Sequence, residues 1–98
     1  MDYSKYQDLK IRRLEPGILE IVMGEEGGKL STATARLHKE LADIWLDVDR
    51  DPETRVAILR GAGKGFSAGG DLAMVEEITR DFEARARVWR EARDLVYN

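Results

Sequence analysis

The sequence predicts an α/β fold in which a β-hairpin is followed by a βαβ unit, and three observations predict it. Residues 9–13 alternate apolar and charged side chains, and a Pro-Gly pair then separates them from a second, largely apolar run. Apolar residues at helical spacing occupy 37 to 48. A short apolar run at 56–59 leads directly into a loop with five glycines in ten residues, 61 to 70. A strand, a long helix and another strand in that order imply a partly parallel sheet with a right-handed crossover.

In Leu9-Lys10-Ile11-Arg12-Arg13-Leu14 the period-2 pattern holds as far as Arg13, the signature of a strand with one wet face. Glu15-Pro16-Gly17 follows. Proline fixes φ at the first central position of a turn and glycine accepts a positive φ at the second, so a type II or related reversal is expected. Residues 18–23 form the second strand, with Glu20 on the face that carries Ile18 and Val22. The loop at 24–30 contains three glycines, and Ser31 or Thr32 is placed to cap the next helix. Within it Leu37, Leu41, Ile44, Trp45 and Val48 share one face, and Asp51-Pro52 stops it because proline disfavours helical geometry in the residue before it. The run Val56-Ala57-Ile58-Leu59 reads as a strand covered on both faces. A short helix over Leu72–Arg80 is followed by another from about residue 82, with Phe82, Ala86, Trp89, Ala92 and Val96 as its apolar stripe. That stripe reaches Asn98 without a glycine or proline stop. The expectation is a chain cut within a helix, whose Val88, Trp89, Leu95 and Val96 pack against residues beyond it.

Composition narrows function. The chain has 98 residues, no cysteine and a formal charge of −3, which excludes a disulfide scaffold and a thiolate metal site. Lys and Arg are interspersed with Asp and Glu, so no basic face is present to neutralise nucleic-acid phosphates. No apolar stretch approaches the ~20 residues of a membrane span and the first residues lack a signal-peptide layout, so a soluble, cytoplasmic protein is expected.

Three motif readings compete for the glycine loop. A Walker loop needs Gly-Lys-Ser/Thr, but Gly63-Lys64 precedes Gly65, and Ile58 occupies the position of its first glycine. A dinucleotide fingerprint counted from Gly61 meets Phe66 where its third glycine belongs. Gly65-Phe66-Ser67-Ala68-Gly69 satisfies Gly-x-Ser-x-Gly, yet Ser67 is well separated from the preceding strand. The one histidine, His38, lies upstream in a helix, off its main apolar stripe, and reads as a surface or boundary residue.

The run Val56-Ala57-Ile58-Leu59-Arg60-Gly61, followed by Gly65-Phe66-Ser67-Ala68-Gly69-Gly70-Asp71-Leu72, resembles the enoyl-CoA hydratase/isomerase (crotonase) family. The resemblance extends over about residues 8 to 80, through the hairpin, Lys29-Leu30-Ser31 and the helix ending at Asp49-Arg50-Asp51-Pro52. It implies a crotonase-like ββα spiral, of which residues 1–98 would be the N-terminal part of a single domain. It also implies an acyl-CoA thioester as substrate, with coenzyme A carried on it and no separate cofactor or metal, and assembly as a homotrimer or hexamer. By the family pattern the Gly70 amide is one of two oxyanion-hole donors. Ala68, Gly69, Asp71 and Leu72 border the pantetheine and adenine, and Lys29 and Leu30 match the loop facing the adenine. Asp71 reads as a helix cap rather than a base, and Glu76 and Glu77 as a solvated helix face. The implied reaction is hydration of a 2-enoyl-CoA thioester. Isomerase, thioester hydrolase and decarboxylase chemistry stay open on the same scaffold, as does a non-catalytic CoA-binding or oligomerisation fragment, because function resides in side chains grafted on a fold.

Overall fold

Pro16 and Gly17 reverse the chain between the first two strands, and Gly17 takes φ +87°, the positive value expected of the second central turn position. The computed structural model describes residues 2–24, 34–63, 65–67 and 72–98. Within them lie β1 (Leu9–Glu15), β2 (Gly17–Met23), α1 (Ala35–Arg50), β3 (Thr54–Gly61), α2 (Leu72–Arg80) and α3 (Phe82–Tyr97). The strands form one sheet in the order β1-β2-β3, with β1 antiparallel and β3 parallel to β2. The alternation in β1 gives way at Arg13, which shares the face of Leu9 and Ile11 and pairs with Asp51 at 3.0 Å, and the register with β2 then shifts between Arg13 and Glu15.

The register sorts side chains by face. Leu9, Ile11, Leu19, Ile21, Met23, Ala57 and Leu59 share the side against which α1 packs Leu37, Leu41 and Ile44. Ile21 and Ile44 have no exposed surface, and each such burial contributes about 1.5–3 kcal/mol. Helix α1 starts one turn later than Ser31 or Thr32 would set it, and those two lie outside the described residues. Thr34 is the cap, accepting the Leu37 amide at 3.1 Å. Asp51 ends the helix in an extended conformation just before Pro52.

Two expectations about burial are corrected. β3 is an edge strand among the described residues, with helix packing on one face only, so Val56 is 54% and Ile58 42% exposed. On α3 the stripe Phe82, Trp89 and Val96 faces outward, at 73%, 65% and 75% exposure. The face turned inward is offset: Ala84 is buried, Val88 and Glu91 are half-buried, and Leu95 packs on the core. Val88 and Leu95 are thus partly covered already, whereas Trp89 and Val96 are not.

A feature absent from the sequence patterns fixes the chain ahead of β1. Helix α1 presents Glu40, Asp47 and Asp51 along one side, and residues 3–9 lie across them. Glu40 accepts the amides of Gln7, Asp8 and Leu9 at 3.0–3.1 Å. Asp47 takes Lys5 at 2.8 Å and the Tyr6 hydroxyl. Asp51 takes the Tyr3 hydroxyl at 2.8 Å, Thr54 at 2.7 Å and Arg13 at 3.0 Å. The Thr54 hydroxyl first, then the Glu53 amide, Tyr3 and Arg13, hold the Asp51 carboxyl far below the usual carboxylate range against the opposing effect of burial. Burial and Asp51 push the Tyr3 phenol up to about 12.

Candidate functional site

Strands β2 and β3 end side by side. Met23 pairs with Gly61 in the parallel register, and the ladder runs one step further because the Ala62 amide donates to the Met23 carbonyl at 2.9 Å. Gly24 then leaves the sheet with φ +86°, a value side-chain-bearing residues rarely adopt. Segments 24–33 and 62–71 therefore depart from adjacent strand ends at the carboxyl edge. Ligands bind at that edge in open α/β sheets, because successive loops diverge there and leave a crevice.

Gly61 is packed against the backbone of residues 65 and 66. A Cβ on Gly61 would stand 2.3 Å from the Gly65 carbonyl oxygen, and 2.4 Å and 2.9 Å from the oxygen and carbon of Phe66. The backbone folds back onto the end of β3, and only glycine leaves room for it. The Phe66 and Ser67 side chains are exposed. Helix α2 begins at Leu72, which is 79% exposed. Its first-turn amides lack intrahelical partners and carry a partial positive charge, so the segment from Gly61 terminates at groups suited to negative charge.

Of the residues singled out in the sequence, Leu72 is seen at the start of α2, while Lys29, Leu30, Ala68, Gly69, Gly70 and Asp71 lie outside the described residues. What the structure shows is that the two segments carrying them start from adjacent strand ends. His38 Nδ1 lies 2.9 Å from Glu91 Oε1, both side chains 14% exposed, joining α1 to α3. Glu76 and Glu77 are exposed on α2, and Glu77 stands 3.4 Å from Arg87. Among the described residues no group of three or more His, Cys, Asp or Glu is placed to hold a metal ion. No described helix is long and apolar enough to cross a membrane.

Sequence reasoning missed one polar cluster beside this edge. On the sheet face away from α1, Glu20 accepts Arg12 Nε at 2.7 Å and Arg60 Nε at 3.1 Å. Arg12, then Arg60, hold the Glu20 carboxyl below its ordinary range although burial works the other way. These three residues, with Lys10, Val22 and Gly24, line an open cavity of about 360 Å3. The only sequence signal was a single acid within an apolar strand, whose partners stand 8 and 40 residues away.

No family model matches the chain. A mevalonyl-coenzyme A hydratase of Beauveria bassiana is 39% identical over 66 residues, covering 66% of this chain and 23% of that protein. Among solved structures, an enoyl-CoA hydratase/isomerase from Mycobacterium paratuberculosis superposes with a TM-score of 0.83 at 31% identity, over 92% of this chain and 35% of the other. A beta-diketone hydrolase from the cyanobacterium Anabaena sp. superposes with a TM-score of 0.80 at 29% identity, over 97% of this chain and 37% of the other. The chain spans about a quarter to a third of the length of the relatives it matches.

Proposed function

Because the chain belongs to the enoyl-CoA hydratase/isomerase, or crotonase, family, we propose that the protein acts on acyl-CoA thioesters, as a hydratase adding water across the 2,3 double bond of a 2-enoyl-CoA. The observation that carries this reading is the departure of segments 24–33 and 62–71 from paired strand ends, the second of them leading into α2.

Attack of water at C3 drives electron density through C2 onto the thioester oxygen, and the enolate so formed then takes a proton at C2. The step is accelerated by donors that meet the oxygen as its charge develops, each worth roughly 3 to 4 kcal/mol. In this reading the Gly70 amide is one such donor, and the absence of a side chain there lets the backbone approach the thioester closely. The partial positive charge at the start of α2 acts in the same direction. Lys29, Leu30, Ala68, Gly69, Asp71 and Leu72 border the coenzyme A portion of the substrate. A second donor and the carboxylates that move protons come from residues beyond Asn98, and the protein assembles as a homotrimer or hexamer. The likeness to a beta-diketone hydrolase supports a second reading, hydrolase chemistry, which draws on the same stabilised oxyanion.

Incubation of the full-length protein with crotonyl-CoA tests the proposal. The expected result is loss of the enoyl absorbance with formation of 3-hydroxybutyryl-CoA, identified by mass. Release of free coenzyme A thiol would transfer the assignment to a hydrolase. Unchanged crotonyl-CoA together with no saturable thioester binding would overturn it.

A further inference from the structure

We infer that the cavity on the sheet face away from α1 binds a phosphate group, which Lys10, Arg12 and Arg60 hold while Glu20 fixes the two guanidinium groups in place. A phosphate carried on the acyl-CoA substrate proposed above and a free phosphate ion are the two sources of that chemistry. The first source rests on the acyl-CoA reading and deepens it. The cavity itself rests on side chains and backbone that the structure describes.

Sheet register places the cations. Lys10, Val22 and Arg60 form one cross-strand row, and Arg12 and Glu20 lie in the next. Adjacent strands stand about 4.8 Å apart, so the backbones at Lys10 and Arg60 are about 10 Å from one another, with Val22, 5% exposed, between them. Val22 is one residue short of the end of β2 and Arg60 one short of the end of β3. The cavity, which also touches Gly24, therefore lies beside the carboxyl edge from which residues 24 and 62 depart.

The lining carries a net positive charge. Glu20 is 6% exposed, and each of its oxygens takes one guanidinium through Nε, Oε1 that of Arg12 at 2.7 Å and Oε2 that of Arg60 at 3.1 Å. One carboxylate against three cations leaves the lining at +2, which disfavours a metal ion and matches a phosphate monoester of charge about −1.5 to −2. Engagement through Nε also sets direction. On Arg12 it leaves the two terminal nitrogens without a hydrogen bond among the described residues, and such a fork fits two phosphate oxygens. Lys10 Nζ is anchored at 3.0 Å on the Gln7 carbonyl and keeps further N–H groups to donate. Side chains already held in place lose less freedom when a ligand arrives, which favours binding.

The experiment compares the full-length protein with Lys10→Gln, Arg12→Gln and a control, Lys39→Gln. Lys39 is an exposed residue of α1 paired with Asp43, so the control removes a positive charge away from the cavity. Arg12→Gln leaves Glu20 paired with Arg60, and the amide signals of the core residues Ile21 and Ile44 report whether each variant keeps its fold. Calorimetry gives the affinity for crotonyl-CoA and for crotonyl-pantetheine, the same thioester without the nucleotide and its phosphates. Titration with inorganic phosphate is followed at the Val22 and Gly24 amides. The expected result is a loss in crotonyl-CoA affinity of about tenfold for Arg12→Gln and at least threefold for Lys10→Gln, shrinking as salt is raised. Crotonyl-pantetheine affinity, and all affinities of the control, should stay within twofold. Unchanged crotonyl-CoA affinity with phosphate shifting Val22 and Gly24 in the parent, but not in Arg12→Gln, would support the cavity with a free phosphate as its source. Crotonyl-CoA affinity within twofold in both cavity variants and no phosphate shift at Val22 and Gly24 would overturn the inference, and so would an equal loss in Lys39→Gln. Should Arg12→Gln lose the Ile21 and Ile44 signals, Lys10→Gln decides by the same criteria. A parent protein that binds neither thioester removes the acyl-CoA reading, and the phosphate titration then decides the cavity alone.

Discussion

Removing the Glu40 carboxylate is predicted to loosen the chain ahead of β1 by an amount that the geometry defines. Oε1 accepts the amides of Asp8 and Leu9 and Oε2 that of Gln7, all at 3.0–3.1 Å. Glu40 is 8% and Leu9 1% exposed, so water cannot take over the Leu9 bond without opening the core. A hydrogen bond to a charged group contributes about 1.5–3 kcal/mol net, and a buried donor left alone costs about as much. Counting the Leu9 amide fully and the two more exposed amides at roughly 0.5 kcal/mol each, Glu40→Ala should cost about 3 kcal/mol. Glu40→Gln keeps one acceptor oxygen but loses the charge, and should cost about half as much. With a urea slope near 1.5 kcal/mol/M, the alanine variant should unfold about 2 M earlier. Urea titration followed by circular dichroism gives the midpoints, and hydrogen exchange at Leu9 reports the local opening. An alanine variant within about 0.5 kcal/mol of the parent, or unchanged Leu9 protection, would refute the reasoning.

Three further outcomes follow from the packing and the ionisation. Asp51 has a folded pKa far below its ordinary 3.8, so in that window the unfolded chain binds more protons. The Asp51 contribution to stability should therefore be constant above about pH 5 and fall as pH drops below about 4, and Asp51→Asn should shrink the difference between melting temperatures at pH 6 and pH 2.5. Tyr3, raised to about 12, and Tyr6, raised further by burial and Asp47, should not ionise near pH 10 while the protein is folded. Absorbance titration of phenolate should show both ionising only with unfolding, and stability falling as pH rises above 10. Ile44→Ala should cost about 2–5 kcal/mol and Trp89→Ala less than about 0.5 kcal/mol, because Ile44 is fully buried and Trp89 is 65% exposed. A larger loss at Trp89 in thermal melts would show that its face is covered in solution.

Element order and type were legible because each depends on local pattern: the alternation to Arg13, the Pro16-Gly17 reversal, the 37-to-48 stripe and the stop at Pro52. The fold family was legible in the residues from Val56 to Leu72. What pattern cannot report is which side a neighbour occupies. Helix α3 carries two candidate stripes, and the more apolar one, through Phe82, Trp89 and Val96, is the one that packing leaves outside. The inward face includes Glu91, masked as polar until its contact with His38 is seen. For β3, an apolar run looks the same at a sheet centre and at an edge. Pairings such as Glu40 with three amides 31 to 33 residues away, or Glu20 with Arg60, are products of tertiary contact and have no sequence period. At the candidate site, topology supplies what spacing alone did not: residues 24 and 62 depart from the same edge.

The proposed role of the Gly70 amide, stabilising charge on a thioester oxygen, is tested by the turnover of Gly70→Pro in the full-length protein with crotonyl-CoA. Proline removes the donor without adding or removing charge. The expected kcat is about 10² to 10³-fold lower, with the circular dichroism spectrum unchanged. Turnover equal to that of the parent protein would contradict it.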